Sequence, residues 1–164
     1  MSPAPFATIS LPDEASTQAF GACLAPLLGA GDSLLLVGEI GAGKSVLSRA
    51  IIQTRLAALD RLEDVPSPTF TLVQTYDLGS LELWHCDLYR LVDPGEIDAL
   101  GLDDAYARAI TLIEWPDRLG ADLPHNALVL ALRPADTGEG RMLTLTELGG
   151  NWTARLAPCL RQAA

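Results

Sequence analysis

One segment of the chain, residues 38–45 (GEIGAGKS), has the glycine, lysine and hydroxyl spacing of a phosphate-binding loop, GxxxxGK[ST]. Glycines let successive backbone amides turn toward one anion, and a helix that begins at Lys44 adds free amides and a positive dipole end. In this pattern the lysine reaches the β- and γ-phosphates, and the hydroxyl of Ser45 ligates Mg²⁺. We expect the nucleotide to be bound by Gly38, Glu39, Ile40, Gly41, Ala42, Gly43, Lys44, Ser45 and Val46.

The lysine of this loop is the only one in the chain, whereas arginine occurs ten times. A composition that avoids lysine elsewhere has kept it at position 44, where a compact ammonium fits between phosphates better than a planar guanidinium does. An ordinary strand-to-helix turn is the alternative interpretation, and the retained lysine argues against it.

Two carboxylates end strand-like runs and are candidates for holding Mg²⁺ or its waters. Asp87 closes the run 81–87 and Glu114 closes the run 110–114. Ligands of open α/β folds collect at the edge of the sheet to which such strands deliver their last residues. Spacing alone does not rank the two acids, and for each of them a solvated strand end is the alternative.

Four other side chains have weaker patterns. Thr69 lies on a proline-stiffened loop that could approach Mg²⁺ and a γ-phosphate, or it simply starts a strand. Trp115 could stack on a base or a partner, or fill a turn. His85 and His125 have no partners at metal-ligand spacing, so we expect both to be structural.

The elements that must position these residues follow from hydrophobic periodicity. The pattern predicts an α/β fold with a mixed, mostly parallel central sheet, flanking helices and an antiparallel hairpin. Strands are expected at 6–11, 33–37, 70–76, 81–87, 109–114, 127–133 and 142–148. Helices are expected from 12 to 28, from 44 to about 59, as short acidic pieces within 94–108, and near 152–161.

Composition limits the classes of function. A chain of 164 residues with 49% hydrophobic and 20% charged residues fits a single domain over 1–164. The net charge of −10 repels phosphate backbones, so a general nucleic-acid binder is disfavoured. We find no signal peptide and no run near the roughly 18 apolar residues of a membrane span, so we expect a cytoplasmic protein without a membrane partner.

Cysteines and acidic residues give two further expectations. Cys23, Cys86 and Cys159 are odd in number and have no close pair, so we expect small buried residues rather than a disulfide or a zinc site. The segment 93–104 carries five acids and no base; it is either a solvated face or a surface for a basic protein.

Four motifs, taken in order along the chain, resemble those of the bacterial TsaE (YjeE) ATPases: GEIGAGKS, SPTFTLV, HCDLYRL and IEWP. The resemblance extends from about residue 10 to about residue 150. This resemblance implies a P-loop ATPase that uses ATP and Mg²⁺. It also implies a role in placing a threonylcarbamoyl group on the adenosine beside the anticodon in tRNAs that read codons starting with A. In that family the ATPase works with the TsaB–TsaD complex, so tRNA would be met only through the complex.

The resemblance also implies roles for individual residues. Catalysis would involve Lys44, Asp87 and Glu114, the metal would be held among Ser45, Thr69, Asp87 and Glu114, and Trp115 would line the site. The sequence departs from the commonest family pattern at Glu39-Ile40, at Ser45 in place of threonine, and at Cys86 in place of an aromatic residue. Ser45 keeps the hydroxyl, so metal ligation is preserved.

Two other functions remain open from the sequence. A P-loop does not reveal the phosphoryl acceptor, so a small-molecule kinase is one alternative, although the arginines that a lid would need are scattered singly. A nucleotide-gated binding module is the other. Use of GTP is disfavoured because the chain has no Asn-Lys-x-Asp segment to read guanine.

Overall fold

The structure, a computed structural model, describes residues 3–163. Within them the apolar runs of the sequence form one seven-stranded sheet with the order β1-β7-β6-β2-β5-β4-β3. The strands are β1 (Ala7–Leu11), β2 (Ser33–Val37), β3 (Val73–Asp77), β4 (Glu82–Asp87), β5 (Ile110–Glu114), β6 (Ala127–Pro134) and β7 (Arg141–Glu147). The most apolar of the short runs, β2, therefore lies at the centre, where both of its faces are covered.

Strand directions confirm the predicted mixed, mostly parallel sheet. The central strands β6, β2, β5 and β4 are mutually parallel. β7 is antiparallel to β6, and β1 is antiparallel to β7, so β1 runs with the central four. β3 and β4 form the predicted antiparallel hairpin. The parallel strands bring their carboxyl ends to one edge of the sheet.

Helices cover both faces of this sheet. They are α1 (Glu14–Leu24), α2 (Lys44–Ala57), α3 (Gly95–Leu100), α4 (Leu102–Arg108), α5 (Trp152–Arg155) and α6 (Ala157–Ala163). The side chain of Asp13 caps α1 by accepting a hydrogen bond from the Ser16 amide at 2.8 Å. Within residues 3–163 no helix is both long and apolar enough to cross a bilayer.

Alternation along β2 divides the apolar interior into two clusters. Leu34 and Leu36 pack in the larger cluster with residues of α1 and α2, whereas Leu35 packs in the smaller one with residues of α3 and α4. Successive side chains of a strand point to opposite faces, so one short run anchors both layers. The P-loop helix α2 is thereby fixed to the centre of the sheet.

Three predicted boundaries were wrong. The first helix ends at Leu24, and a 3₁₀ turn, Ala25–Leu27, follows because Pro26 has no N–H to continue the α-helical ladder. β3 begins at Val73 rather than at residue 70, since Leu72 adopts φ +68° and its amide donates to the Pro68 carbonyl at 2.7 Å. The C-terminal helix is split into α5 and α6.

The expectation that no disulfide forms was also wrong. Cys23 of α1 and Cys159 of α6 form a disulfide with their Cα atoms 5.8 Å apart, and only Cys86 is a free thiol among the described residues. The two bonded cysteines are 136 residues apart in sequence. Their pairing depends on the packing of α6 against α1, which sequence spacing does not contain.

Candidate nucleotide-binding site

The phosphate-binding loop connects β2 to α2 and is held in a conformation that requires glycine. Gly38, Gly41 and Gly43 have φ of +153°, +84° and +108°. A Cβ on Gly38 would lie 2.6 Å from the carbonyl oxygen of Leu132 on β6, a distance no side chain tolerates. The chain therefore curls beneath the start of α2 as the sequence pattern predicts.

The ammonium group of Lys44 lies inside this curl. It donates hydrogen bonds to the carbonyl oxygens of Gly38 and, at 3.1 Å, of Glu39. It also lies 4.3 Å from the centroid of the Trp115 ring. Only 5% of Lys44 is exposed, so in this conformation the ammonium is enclosed by loop carbonyls below and an aromatic face above.

Burial and neighbouring charges act on this lysine in opposite directions. Burial lowers the pKa of Lys44 from its ordinary value, and the negative charges of Glu114, Asp87 and Glu39 partly oppose that shift. The cation is therefore poorly solvated here and gains most from a ligand that brings further negative charge.

The two candidate carboxylates end neighbouring parallel strands at the same level. Asp87 of β4 is paired in register with Glu114 of β5, and both side chains are buried. The Ser45 hydroxyl donates to Glu114 Oε1 at 3.5 Å, and His85 Nε2 lies 2.7 Å from Glu114 Oε2. Glu114 thus lies between the P-loop hydroxyl and a buried imidazole.

The loop that precedes the hairpin reaches the other carboxylate. The Thr69 hydroxyl donates to Asp87 Oδ2 at 3.2 Å and lies 2.7 Å from the hydroxyl of Ser67. The second oxygen, Asp87 Oδ1, accepts from the Tyr89 amide at 3.0 Å. The turn that displaces the start of β3 therefore carries Thr69 to the sheet edge.

The side-chain oxygens of Ser45, Thr69, Asp87 and Glu114 converge on this edge from four separate segments of the chain. Hydroxyl and carboxylate oxygens are the hard donors that Mg²⁺ prefers, and it commonly takes few protein ligands and keeps phosphates and waters as the others. The donor set fits this cation.

A cleft of about 510 Å³ opens above the loop. Its lining includes these residues proposed from the sequence: Ile40, Gly41, Gly43, Lys44, Ser45, Val46, Thr69, Asp87, Glu114 and Trp115. Gly38, Glu39 and Ala42 do not line the cleft; the first two accept hydrogen bonds from Lys44, and Ala42 is buried behind the loop. Thirteen positions proposed from separate motifs are therefore brought to one place, ten of them on its wall.

Trp115 has a backbone conformation that is unusual for a residue other than glycine. Its φ is +60°, in the left-handed region, and its ring lies 4.9 Å from that of Tyr89. The side chain forms one wall of the cleft over Lys44. It is therefore a wall of the site as well as the residue at a turn.

Sequence reasoning missed several residues in or beside this cleft. His85, which is buried and does not line the cleft, was expected to be structural only, yet it contacts Glu114. Its position two residues before Asp87, on the same strand face, was the available signal. Nothing in the sequence pattern singled out Arg141. The other unpredicted lining residues are Asp13, Glu14, Thr17, Ser67, Tyr89 and Gly140.

Comparison with known proteins agrees with this geometry. A family profile described as threonylcarbamoyl adenosine biosynthesis protein TsaE matches residues 11–142. The chain is similar to the "tRNA threonylcarbamoyladenosine biosynthesis protein TsaE" of Rickettsia bellii, at 36% identity over 77% of this chain and 85% of that protein. The protein of the same name from Haemophilus influenzae is 32% identical over 86% of this chain and 91% of its own length.

A solved structure has the same fold. The crystal structure of Bacillus subtilis YdiB superposes with a TM-score of 0.75 and 25% identity, covering 96% of each chain. The overall fold of this chain is thus shared with an experimentally determined protein.

Proposed function

Because this chain belongs to the TsaE family of tRNA threonylcarbamoyladenosine biosynthesis proteins, we propose that it is a Mg²⁺-dependent ATPase of that modification. The observation that carries the proposal is that four chemical features lie in one cleft. A buried ammonium, a glycine-permitted loop, a P-loop hydroxyl and two register-paired carboxylates all face the same volume.

Binding of ATP would begin at the loop. The phosphates would receive hydrogen bonds from the loop amides and from the first turn of α2, and charge from Lys44. To contact them, the Lys44 ammonium must exchange its bonds to the Gly38 and Glu39 carbonyls for phosphate oxygens. That exchange is favourable because a charged acceptor replaces a neutral one in a poorly solvated place.

Hydrolysis would be supported by the oxygen side chains at the sheet edge, those of Ser45, Thr69, Asp87 and Glu114. Mg²⁺ held at this edge would supply positive charge beside the phosphoryl group that is transferred. We propose that Ser45 and Glu114 hold the metal, since the two side chains are already within 3.5 Å of each other. Asp87, which Thr69 contacts at 3.2 Å, would orient the attacking water and respond to the γ-phosphate through that loop.

We further propose that the ATPase acts in the cytoplasm with the TsaB–TsaD complex and meets tRNA only through it. The net charge of −10 supports an indirect encounter with tRNA, because it disfavours direct contact with a polyanion. The five acids of the segment 93–104, on and beside α3 and α4, provide a surface complementary to a basic protein face.

Calorimetry tests the nucleotide site. We expect saturable binding of ATP and ADP that is tighter with Mg²⁺, and phosphate release that increases when TsaB and TsaD are added. Absence of magnesium-dependent binding in both the free chain and the mixture would refute the ATPase proposal.

Nucleoside mass spectrometry tests the pathway. Depletion of the protein in its host should lower threonylcarbamoyladenosine in tRNA, and wild-type protein supplied in trans should restore it. Undiminished threonylcarbamoyladenosine after depletion would remove the pathway assignment and leave the ATP site standing.

A further inference from the structure

Arg141 is a cleft residue that no motif of the chain predicts. It is the first residue of β7, paired in register with Leu11 of β1 and Pro134 of β6. It is half-buried, and it lines the cleft beside the phosphate-binding loop. A residue of the antiparallel part of the sheet therefore reaches the loop that leaves the central strand.

Its guanidinium binds the outer side of the phosphate-binding loop. Arg141 Nε donates to the Ala42 carbonyl at 2.9 Å, and Nη2 donates to the Gly41 carbonyl at 3.0 Å. Nη1 donates to the carbonyl of the preceding residue, Gly140, at 3.0 Å. One rigid fork thus fixes two successive carbonyls of the loop and ties them to the start of β7.

The direction of these carbonyls matters for anion binding. In a peptide unit the carbonyl and the next N–H point in opposite directions, so holding the Gly41 and Ala42 carbonyls outward aims the amides of Ala42 and Gly43 the other way. The Ala42 amide donates to the Glu39 carbonyl at 3.0 Å and so closes the turn of the loop. The Gly43 amide belongs to the curl that would surround the phosphates. A loop with three left-handed glycines has many alternative conformations, and restricting them in advance favours binding.

The start of β7, which carries Arg141, packs tightly against the backbone of neighbouring residues. Gly140 has φ +78°, and a Cβ there would lie 2.6 Å from the Leu11 carbonyl oxygen and 2.7 Å from the Cα of Pro12. The backbone of β7 therefore begins directly against the β1–α1 junction. This contact fixes the point from which the arginine extends.

Arg141 forms no direct ion pair among the described residues. Among residues 3–163 its hydrogen-bond partners are backbone carbonyls, and no carboxylate lies within 4.0 Å of its guanidinium. Arg133 on β6, in contrast, pairs with Asp136. A full positive charge beside a loop that is built for an anion adds to the field of Lys44.

From these contacts we propose that Arg141 is a positioning residue for the phosphate-binding loop: it holds the Gly41 and Ala42 carbonyls so that the loop is preorganised for the nucleotide phosphates. The inference rests on the proposed ATP site. It assigns Arg141 no contact with the reacting atoms; the arginine acts through the loop.

The nucleotide-free protein provides the first test. In R141A, deuterium exchange of the amides of residues 41–43 should accelerate by at least about tenfold, because losing two hydrogen bonds from a charged donor shifts a local equilibrium by that factor or more. Exchange in the centre of β2 should stay at the wild-type rate. Unchanged exchange at 41–43 would overturn the proposal.

Nucleotide binding provides the second test. The Kd for Mg²⁺–ADP should rise about tenfold in R141A, while R141K should recover only a small part, since an ammonium restores the charge but not the fork. Full recovery in R141K would show that charge alone matters and would overturn the positioning role.

Arg133 supplies the matched control, since it lies on the neighbouring strand and its side chain is 53% exposed. R133A should leave both loop exchange and ADP affinity unchanged. If wild-type protein binds Mg²⁺–ADP and R141A binds it equally well, only this inference fails; if wild-type protein does not bind it, the proposed function fails first.

Discussion

The two walls of the cleft are built in different ways. The phosphate wall comes from one continuous segment, residues 38–46, whose backbone conformation is permitted by its own glycines. The metal wall is assembled from four segments: the first turn of α2, the loop at 67–72, and the ends of β4 and β5. Local chemistry specifies the first wall, and sheet register specifies the second.

This difference determines how each wall should fail. Removing the charge of Lys44 from the phosphate wall removes a direct ligand of the anion. Removing one group from the metal wall leaves partners on other segments buried and unpaired. Binding should therefore report on the first wall, and metal dependence and stability should report on the second.

The largest effect is expected at Lys44. In K44A, affinity for ATP and ADP should fall by at least about 100-fold, because a buried charge-assisted contact to phosphate is lost. Calorimetry measures this change. Arg49 is an exposed residue of the same helix, and its Nε donates to the Val65 carbonyl at 3.4 Å. The control variant R49A should bind ATP and ADP with wild-type affinity. Normal affinity in K44A would contradict the phosphate-wall assignment.

The carboxylates should give the next largest effect. D87N and E114Q should each lower hydrolysis by about 100-fold, while ADP affinity without Mg²⁺ changes little, since neither residue is expected to contact the nucleotide directly. Because Ser45 contacts Glu114, E114Q should shift the half-saturating Mg²⁺ concentration more than D87N does. A larger shift of the half-saturating Mg²⁺ concentration in D87N would show that Asp87 holds the metal and Glu114 orients the water.

His85 should show a smaller effect, mainly on stability. H85A leaves the buried oxygen Glu114 Oε2 without this partner and should lower the free energy of unfolding by about 1–3 kcal/mol, as measured in denaturant. H85Q retains a donor of similar reach and should recover part of the loss. H125A, which removes the other histidine of the chain, is the control.

The smallest effect is expected from alkylation of Cys86. Burial raises the pKa of this thiol to about 12, and the negative charge of Glu114 adds to the shift. At pH 8 the thiol is then protonated and enclosed, so iodoacetamide should label it only after unfolding. Intact-mass spectrometry checks this. Rapid labelling of native protein would show that β4 opens beneath the metal wall.

The sequence predicted the phosphate wall well because its information is local. Glycine at 38, 41 and 43 permits the backbone conformation of one loop, and lysine at 44 supplies its charge. The strands that carry Asp87 and Glu114 were also predictable from apolar runs. Their common register was not, since it depends on β4 and β5 being neighbours in the sheet.

Contacts between distant segments account for the remaining errors. His85 has no partner nearby in sequence, and its contact with Glu114 exists only because two strands pair. Arg141 reaches the loop across β6, from a strand that carries no nucleotide motif. Residues 70–72 were expected to belong to a strand, but a turn in which the Leu72 amide donates to the Pro68 carbonyl carries Thr69 to the site instead.

The disulfide between Cys23 and Cys159 closes residues 23–159 into a covalent ring. Every residue proposed for catalysis or metal binding lies inside that ring, whereas Asp13, Glu14 and Thr17 of the cleft precede it. A single protease cut inside the ring, for example in the loop at exposed Leu62, opens the circle without releasing a fragment. The nicked protein keeps its full mass on a non-reducing gel and separates into two pieces only after reduction.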